Sequence, residues 1–330
     1  MRDKPPPRVF SSPVVIACLA ALAATTQQAS AQIYPAKPVR LVVSLAPSGG
    51  VDITSRLFAQ KLSEHVGQQV VVENRPGAGG AVAGDLVAKA PADGYTLLTA
   101  SIAYAVIPSS HKNLAYDPVR DLTPVAQLAS APLVLAVHPS LQAQTVEELI
   151  ALSKSKPASL SYSSSGNGSV HHFAGELFKL RTGADLLHVP YKGSGPAAAD
   201  AVSGQVQVTF ASVASVLRFV QSGRLRALAV TSRERSAQLP SVPTAIESGL
   251  AEVELTSWYG LLAPAATPHE LIRKLAADLN GVLAAAEVKK GFEVQGLEVA
   301  QSSPAAFAEF IRQEAAKYAR IAQAGNIQQE

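Results

Sequence analysis

Between Val39 and Leu62 the chain runs apolar, then small, then amphipathic. Leu41, Val42 and Val43 predict a short buried strand. Pro47, Ser48, Gly49 and Gly50 break it, and Ile53, Leu57, Phe58 and Leu62 then recur near helical spacing with Asp52 at the helix mouth. A strand, a small-residue loop and a helix N-terminus aim free backbone N–H groups at one point, which seats an anion without any Arg or Lys. A plain βα turn, needing only small residues and a cap, reads the same way.

The unit repeats. Gln69–Glu73 predicts a second strand, Asn74–Gly80 a glycine-rich bend, and Ala83–Ala90 a helix of small residues. Tyr95–Thr99 predicts a third strand ending at Ser101, while Pro108–Pro124 reads as irregular. Val125–Leu128 and Leu133–Val137 read as two separate strands. Thr145 and Glu148 form a capping box ahead of Leu149, Ile150 and Leu152. Leu160–Ser163 then feeds a second Ser/Gly loop, Ser163–Ser169, before a helix through Phe173, Leu177 and Phe178.

Further strands are predicted at Leu186–Val189, Val206–Phe210, Leu225–Thr231 and Trp258–Ala263, with helices up to Val202 and around Ser215–Gln221. Thr267-Pro268-His269-Glu270 reads as another capping box with Pro at the first helical position, and Ser303-Pro304 opens the last helix. Alternating strands and helices argue for an α/β fold with a mostly parallel sheet. Small-residue loops in the first third and in the middle argue for two α/β lobes facing each other across a cleft.

The N-terminus has a different pattern. Arg2, Lys4 and Arg8 precede an apolar run from Val14 to Ala24 and a small-x-small site at Ala29–Ala31. That is a signal peptide over residues 1–31, cleaved after Ala31, and it predicts export to the periplasm. Its loss leaves 25 basic and 24 acidic residues, a balance of +1. No Lys/Arg cluster remains, which argues against nucleic acid. The only cysteine, Cys18, lies in the leader, so the exported chain has no thiol for disulfides, thiolate metal sites or Cys catalysis.

Reactive chemistry finds little support. Gly77-Ala78-Gly79 begins a GxGxxG whose sixth position is Val82, and no P-loop signature exists. His171, His172 and Glu176 offer metal-ligand spacing without a third ligand, and packing or capping at a helix start explains them as well. No GxSxG elbow accompanies the serines near His171. An exported hydrolase using Ser165 or Ser169 with His172 is the rival from another class, but it has no identifiable acid. Lys192 is either a ligand contact or a solvated turn lysine. Trp258-Tyr259 is either packing or a ligand platform. The expectation is no catalytic residue, no metal and no cofactor.

The motifs also resemble a family. Tyr34-Pro35-x-Lys37-Pro38, Pro47-x-Gly49-Gly50-x-Asp52, Glu73-Asn74-Arg75-Pro76-Gly77-Ala78-Gly79-Gly80 and Asp93-Gly94-Tyr95-Thr96-Leu97-Leu98 are similar to those of the Bug (TctC-like) solute-binding proteins of tripartite tricarboxylate transport systems. So are Gly166-Asn167-Gly168-Ser169 with His172, Val189-Pro190-Tyr191-Lys192-Gly193, Leu225–Thr231 and Ser257-Trp258-Tyr259-Gly260. The resemblance implies a type II periplasmic-binding-protein fold, two α/β lobes joined by a hinge with the ligand cleft between them. It implies a discontinuous lobe of residues 32–131 plus 252–330 and a second of 132–251.

It further implies a monomer that binds a small organic carboxylate, with integral-membrane transporter subunits or a sensor kinase as partner. Ligand-binding roles carry over to Ser48, Gly49, Gly50, Asp52, Gly79, Gly80 and Ser101 in one lobe. In the other they carry over to Ser165, Gly166, Gly168, Ser169, Tyr191, Lys192 and Ser212. Many relatives have an aspartate after the phenylalanine at 210, where this chain has Ala211. That departure favours a carboxylate ligand without an ammonium group.

Overall fold

The computed structural model describes residues 34–45, 47, 50–110, 114–191, 193–325 and 327. The expected signal peptide and its expected cleavage site lie outside the described residues, as do the site candidates Ser48, Gly49 and Lys192.

Strand β1 (Val39–Val43) leads into helix α1 (Gly50–Val66), and β2 (Val70–Asn74) leads through a 3₁₀ turn (Ala78–Gly80) into α2 (Ala81–Ala88). β3 (Thr96–Ser101) passes directly into α3 (Ile102–Ser110). The three strands are parallel, with β1 between β2 and β3. Leu41, Val42 and Val43 are fully buried, as a central parallel strand covered on both faces requires. Helix α3 and its Pro108 fall in and beside the stretch read as irregular. Proline interrupts a helix by removing one donor, so packing must hold the segment. Ala105, Val106 and Ile107 supply it, all buried in the main core.

The two strands expected at 125–137 are one strand, β4 (Leu122–Val137), despite Pro124 and Pro132. Residues 122–132 pair antiparallel with β9 (Thr256–Pro264), with bulges near Pro124 and Gln127. From Leu133 onward β4 pairs instead with β7 (Val208–Ser212) and β8 (Arg226–Val230). Pro132, which cannot donate to a ladder, stands at the handover. A single long strand thus belongs to two sheets.

The second sheet runs β4, β7, β5 (Ser161–Ser164), β6 (Leu187–Pro190), the last three parallel. Its helices are α4 (Val146–Ser155), α5 (Val170–Thr182), α6 (Ser194–Ser203) and α7 (Val213–Gln221). The capping box at Thr145 holds, with its hydroxyl accepting from Glu148 N at 3.2 Å. Glu148 reaches back one residue further than expected, to Gln144 N at 2.6 Å.

The chain returns through β9 to α8 (His269–Ala284), α9 (Ala286–Val294), a short β10 (Glu298–Val299) on β4, and α10 (Pro304–Ala324). The expected cap at Thr267 is not made. Pro268 takes the cap position with no side-chain bond, and the buried Thr267 hydroxyl has no partner. Ser303 does cap α10, accepting from Ala306 N at 3.2 Å. Helix α10 ties both sheets together. Phe307 lies edge-on to Trp258 of β9 at 5.6 Å, and Tyr318 lies edge-on to Phe173 of α5 at 5.0 Å. Residues from both sheets share one hydrophobic core.

Candidate functional site

Register decides where the loops lie. β1, β2 and β3 point the same way, so Ser44 and Leu45, the 75–80 turn and the β3–α3 junction at Ser101 share one carboxyl edge. Antiparallel β9 places Tyr259 opposite Ser101, and β4 places Ala131 and Pro132 opposite Ser257 and Thr256 at that same edge. One residue on, Leu133 pairs with Ser212 at the end of β7. Parallel β5 and β6 end beside it, at Ser164 and Pro190. The loop Ser165–Ser169, Tyr191, Gly193 and the β7–α7 junction therefore occupy the carboxyl edge of the second sheet. Both carboxyl edges meet at the 131–133 crossover, the position where open α/β sheets bind ligands.

The first edge is built around backbone. Gly80 has φ of 105°, which disfavours any side chain, and a Cβ there would sit 3.2 Å from the Cβ of Ser44. Ser44 is buried at the end of β1, and its hydroxyl has no protein partner. The sequence reading passed it over. Its signal was a lone hydroxyl directly after three buried apolar residues, at the mouth of the loop.

Asp52 has another task. Its carboxylate accepts from Arg56 Nε at 3.0 and 3.1 Å and from Asn74 Nδ2 at 3.0 Å. Asn74 Nδ2 also donates to the Leu45 carbonyl at 3.1 Å, and Asn74 Oδ1 accepts from Arg56 at 3.0 Å. This brace ties α1, the end of β2 and the first loop together, so Asp52 positions the loop and presents no free negative charge to an anion. Gly50 opens α1, Gly79 lies in the 3₁₀ turn, and Ser101 is buried at the end of β3.

At the second edge, three imidazoles hold the Ser/Gly loop. Ser165 Oγ lies 2.6 Å from His171 Nδ1, and Ser164 Oγ lies 2.7 Å from His188 Nε2. Gly168 N donates to His172 Nδ1 at 3.2 Å. Ser169 caps α5, accepting from His172 N at 3.2 Å. Gly166, with φ of 129°, donates its amide to Ser164 Oγ, and its carbonyl accepts from Ser169 N. The rings of His172 and His188 stack at 3.9 Å, and Tyr162 stacks on His188 at 4.9 Å.

Burial pushes His171 down to about 4, and burial with neighbouring His172 and Lys179 does the same to His188. Burial also lowers His172, against an opposing pull from Glu176. At neutral pH all three are uncharged, and the loop offers hydroxyls and amides. His188 escaped the sequence reading because a histidine in the short run Leu186–Pro190 carries no spacing signal.

Tyr191 and Ser212 sit at this edge with occupied hydroxyls. Tyr191 donates to Asp200 Oδ2 at 2.7 Å, and burial together with that bond pushes its phenol up to about 12. Ser212 Oγ donates to Ser215 Oγ at 3.1 Å. Among the described site residues, the donors left at the two edges are short hydroxyls and main-chain amides. A family model described as the tripartite tricarboxylate transporter family receptor matches residues 54–327. The chain belongs to that receptor family.

Among its relatives, Protein BugT of Bordetella pertussis is 38% identical over 309 residues, covering 93% of this chain and 95% of BugT. The structure of R. palustris Rpa4515 with adipate is 34% identical, with a TM-score of 0.79 over 90% of this chain and all of that one. MatC (Rpa3494) from Rhodopseudomonas palustris, solved with bound malate, is 29% identical with a TM-score of 0.74, over 87% and 99% of the two chains. The fold is thus the two-lobed α/β fold of periplasmic solute-binding proteins. The family is one of solute-binding receptors, not of enzymes.

The loop geometry agrees with a receptor of this family. Ser165 pairs with His171 instead of His172, and His171 Nε2 is buried with no partner, so no acid orients the ring as a nucleophile's base requires. Among the described residues no group of three His, Cys, Asp or Glu could hold a metal ion.

Proposed function

We propose that this receptor captures a small organic carboxylate between two lobes, residues 32–131 plus 252–330 and residues 132–251, and closes over it. The exported chain, freed of residues 1–31, works in the periplasm and hands its ligand to the membrane subunits of a tripartite carrier. The observation that carries this reading is the meeting of two donor-rich carboxyl edges at the 131–133 crossover. The adipate and malate bound by two structural neighbours support the ligand class.

Magnitudes allow it. A hydrogen bond to a charged group contributes about 1.5–3 kcal/mol net. Four of them supply about 6–12 kcal/mol before closure costs, against about 8 kcal/mol for a micromolar Kd. No Arg clamp is needed. Closure follows because a ligand touching both lobes favours the closed state by its differential affinity.

A thermal-shift panel of adipate, malate, citrate, benzoate and glucose tests the ligand class. A matching acid at a hundred times its Kd stabilises by about 2.7 kcal/mol, a rise of roughly 5 °C in Tm for a chain of this size. A rise with glucose and with none of the acids would contradict the carboxylate reading.

A further inference from the structure

The Ser165–His171 pair holds one proton between two candidate owners. Ser165 Oγ and His171 Nδ1 are 2.6 Å apart, and either can donate. In one arrangement the hydroxyl donates to Nδ1, which puts the ring proton on Nε2. That atom is buried and has no hydrogen-bond partner. In the other, Nδ1–H donates to the hydroxyl oxygen, and the atom without a partner is a lone pair. Among buried main-chain groups an N–H without an acceptor is rarer than an acceptor left short of a donor, and the same preference applied to this ring favours the second arrangement. The doubly protonated ring is disfavoured at neutral pH by the burial described above.

We propose that His171 is a positioning residue: its Nδ1–H donates to Ser165 Oγ, which leaves the Ser165 hydroxyl hydrogen to turn toward the cleft and donate to the ligand. Ser165 is held from the other side as well, since its carbonyl accepts from Gly193 N at 3.2 Å. A half-buried serine whose oxygen already accepts one bond has its hydrogen left for an incoming acceptor. Such a site presents its hydrogen to a carboxylate oxygen. The role rests on the carboxylate reading above, but the tautomer does not.

Two measurements on the exported chain decide it. Long-range ¹H–¹⁵N correlation of the ligand-free protein at pH 7.5 is expected to show His171 protonated on Nδ1, with Nε2 bare. Titration with adipate is expected to show His171→Phe binding about tenfold more weakly, the loss of part of one charge-assisted hydrogen bond. His171→Asn, whose amide N–H falls where Nδ1–H stands, restores most of the affinity. In a Ser165→Ala background the His171→Phe change has no further effect.

An Nε2–H spectrum overturns the positioning role and leaves the carboxylate reading intact. Equal losses from His171→Phe with and without the Ser165 hydroxyl overturn it too. Absence of binding to every acid of the panel by the wild type overturns the carboxylate reading and, with it, the role at the ligand. Because the spectrum is recorded on the wild type, a variant that fails to fold does not leave the assignment undecided.

Discussion

Gly260→Ala is expected to destabilise the protein by about 3 kcal/mol or more, among the largest effects of any single methyl group in this chain. Gly260 lies in mid-β9, opposite Ala100 of β3 and Gln127 of β4. A Cβ there would stand 2.1 Å from Phe307 Cζ and 2.6 Å from Phe307 Cε1. Phe307 has no exposed surface and nowhere to retreat, since Trp258 lies edge-on at 5.6 Å and Phe310 stacks at 6.4 Å. The clash therefore pushes α10, the helix that ties both sheets together, off the core. Urea unfolding followed by the fluorescence of Trp258, the chain's only tryptophan, reads the loss. Phe307→Leu costs stability alone but is expected to recover part of it in the Gly260→Ala background, because the two changes share one space. Independent, additive losses would place the strain elsewhere.

The second large effect concerns binding. Gly166→Val is expected to weaken adipate binding by about a hundredfold or more while leaving a folded protein. The left-handed φ of 129° is open to glycine, and a Cβ would press to 3.1 Å from the Tyr191 carbonyl oxygen. A β-branched residue meets both obstacles, and the loop must move. Ser165, Gly168 and Ser169 move with it, so the donors of the second edge leave their places together. Strain of this kind costs about 1–3 kcal/mol, within the stability of an ordinary domain. Gly195→Ala, where a Cβ meets nothing within 4 Å, is the control and should bind as the wild type does. Calorimetric titration of the three proteins separates the two outcomes. Equal affinity in Gly166→Val would remove this loop from the site.

Much of this layout was legible from sequence because it rests on local signals. The runs at 41–43, 70–72 and 96–99 are rich in apolar and β-branched residues, and serine or asparagine follows each within two residues. Those signals mark strand, loop and helix without tertiary help. What escaped depended on tertiary packing. Pro108 reads as a breaker, yet α3 survives because Ile102, Tyr104, Ala105, Val106 and Ile107 are buried in the core. Pro124 and Pro132 split β4 on paper, yet pairing to β9 on one stretch and to β7 and β8 on the next keeps it whole. Helix α9, with Gly291 inside it, gave too weak a pattern to be read at all.

The site divides in the same way. Its loops were visible as small-residue clusters. What each side chain does there was not, because that depends on partners far away in sequence. Asp52, 22 residues before Asn74, braces the loop, and Ser164 meets His188 24 residues on. Ser44 has no motif around it and is distinguished only by burial without a partner.

Small-angle X-ray scattering of residues 32–330, with and without the acid that raises their melting temperature most, tests the central claim most directly. If the two carboxyl edges grip a carboxylate from opposite lobes, the radius of gyration falls on adding the acid and stays unchanged in Gly166→Val. An acid that binds tightly to the wild type with no change in the scattering curve would contradict capture by closure.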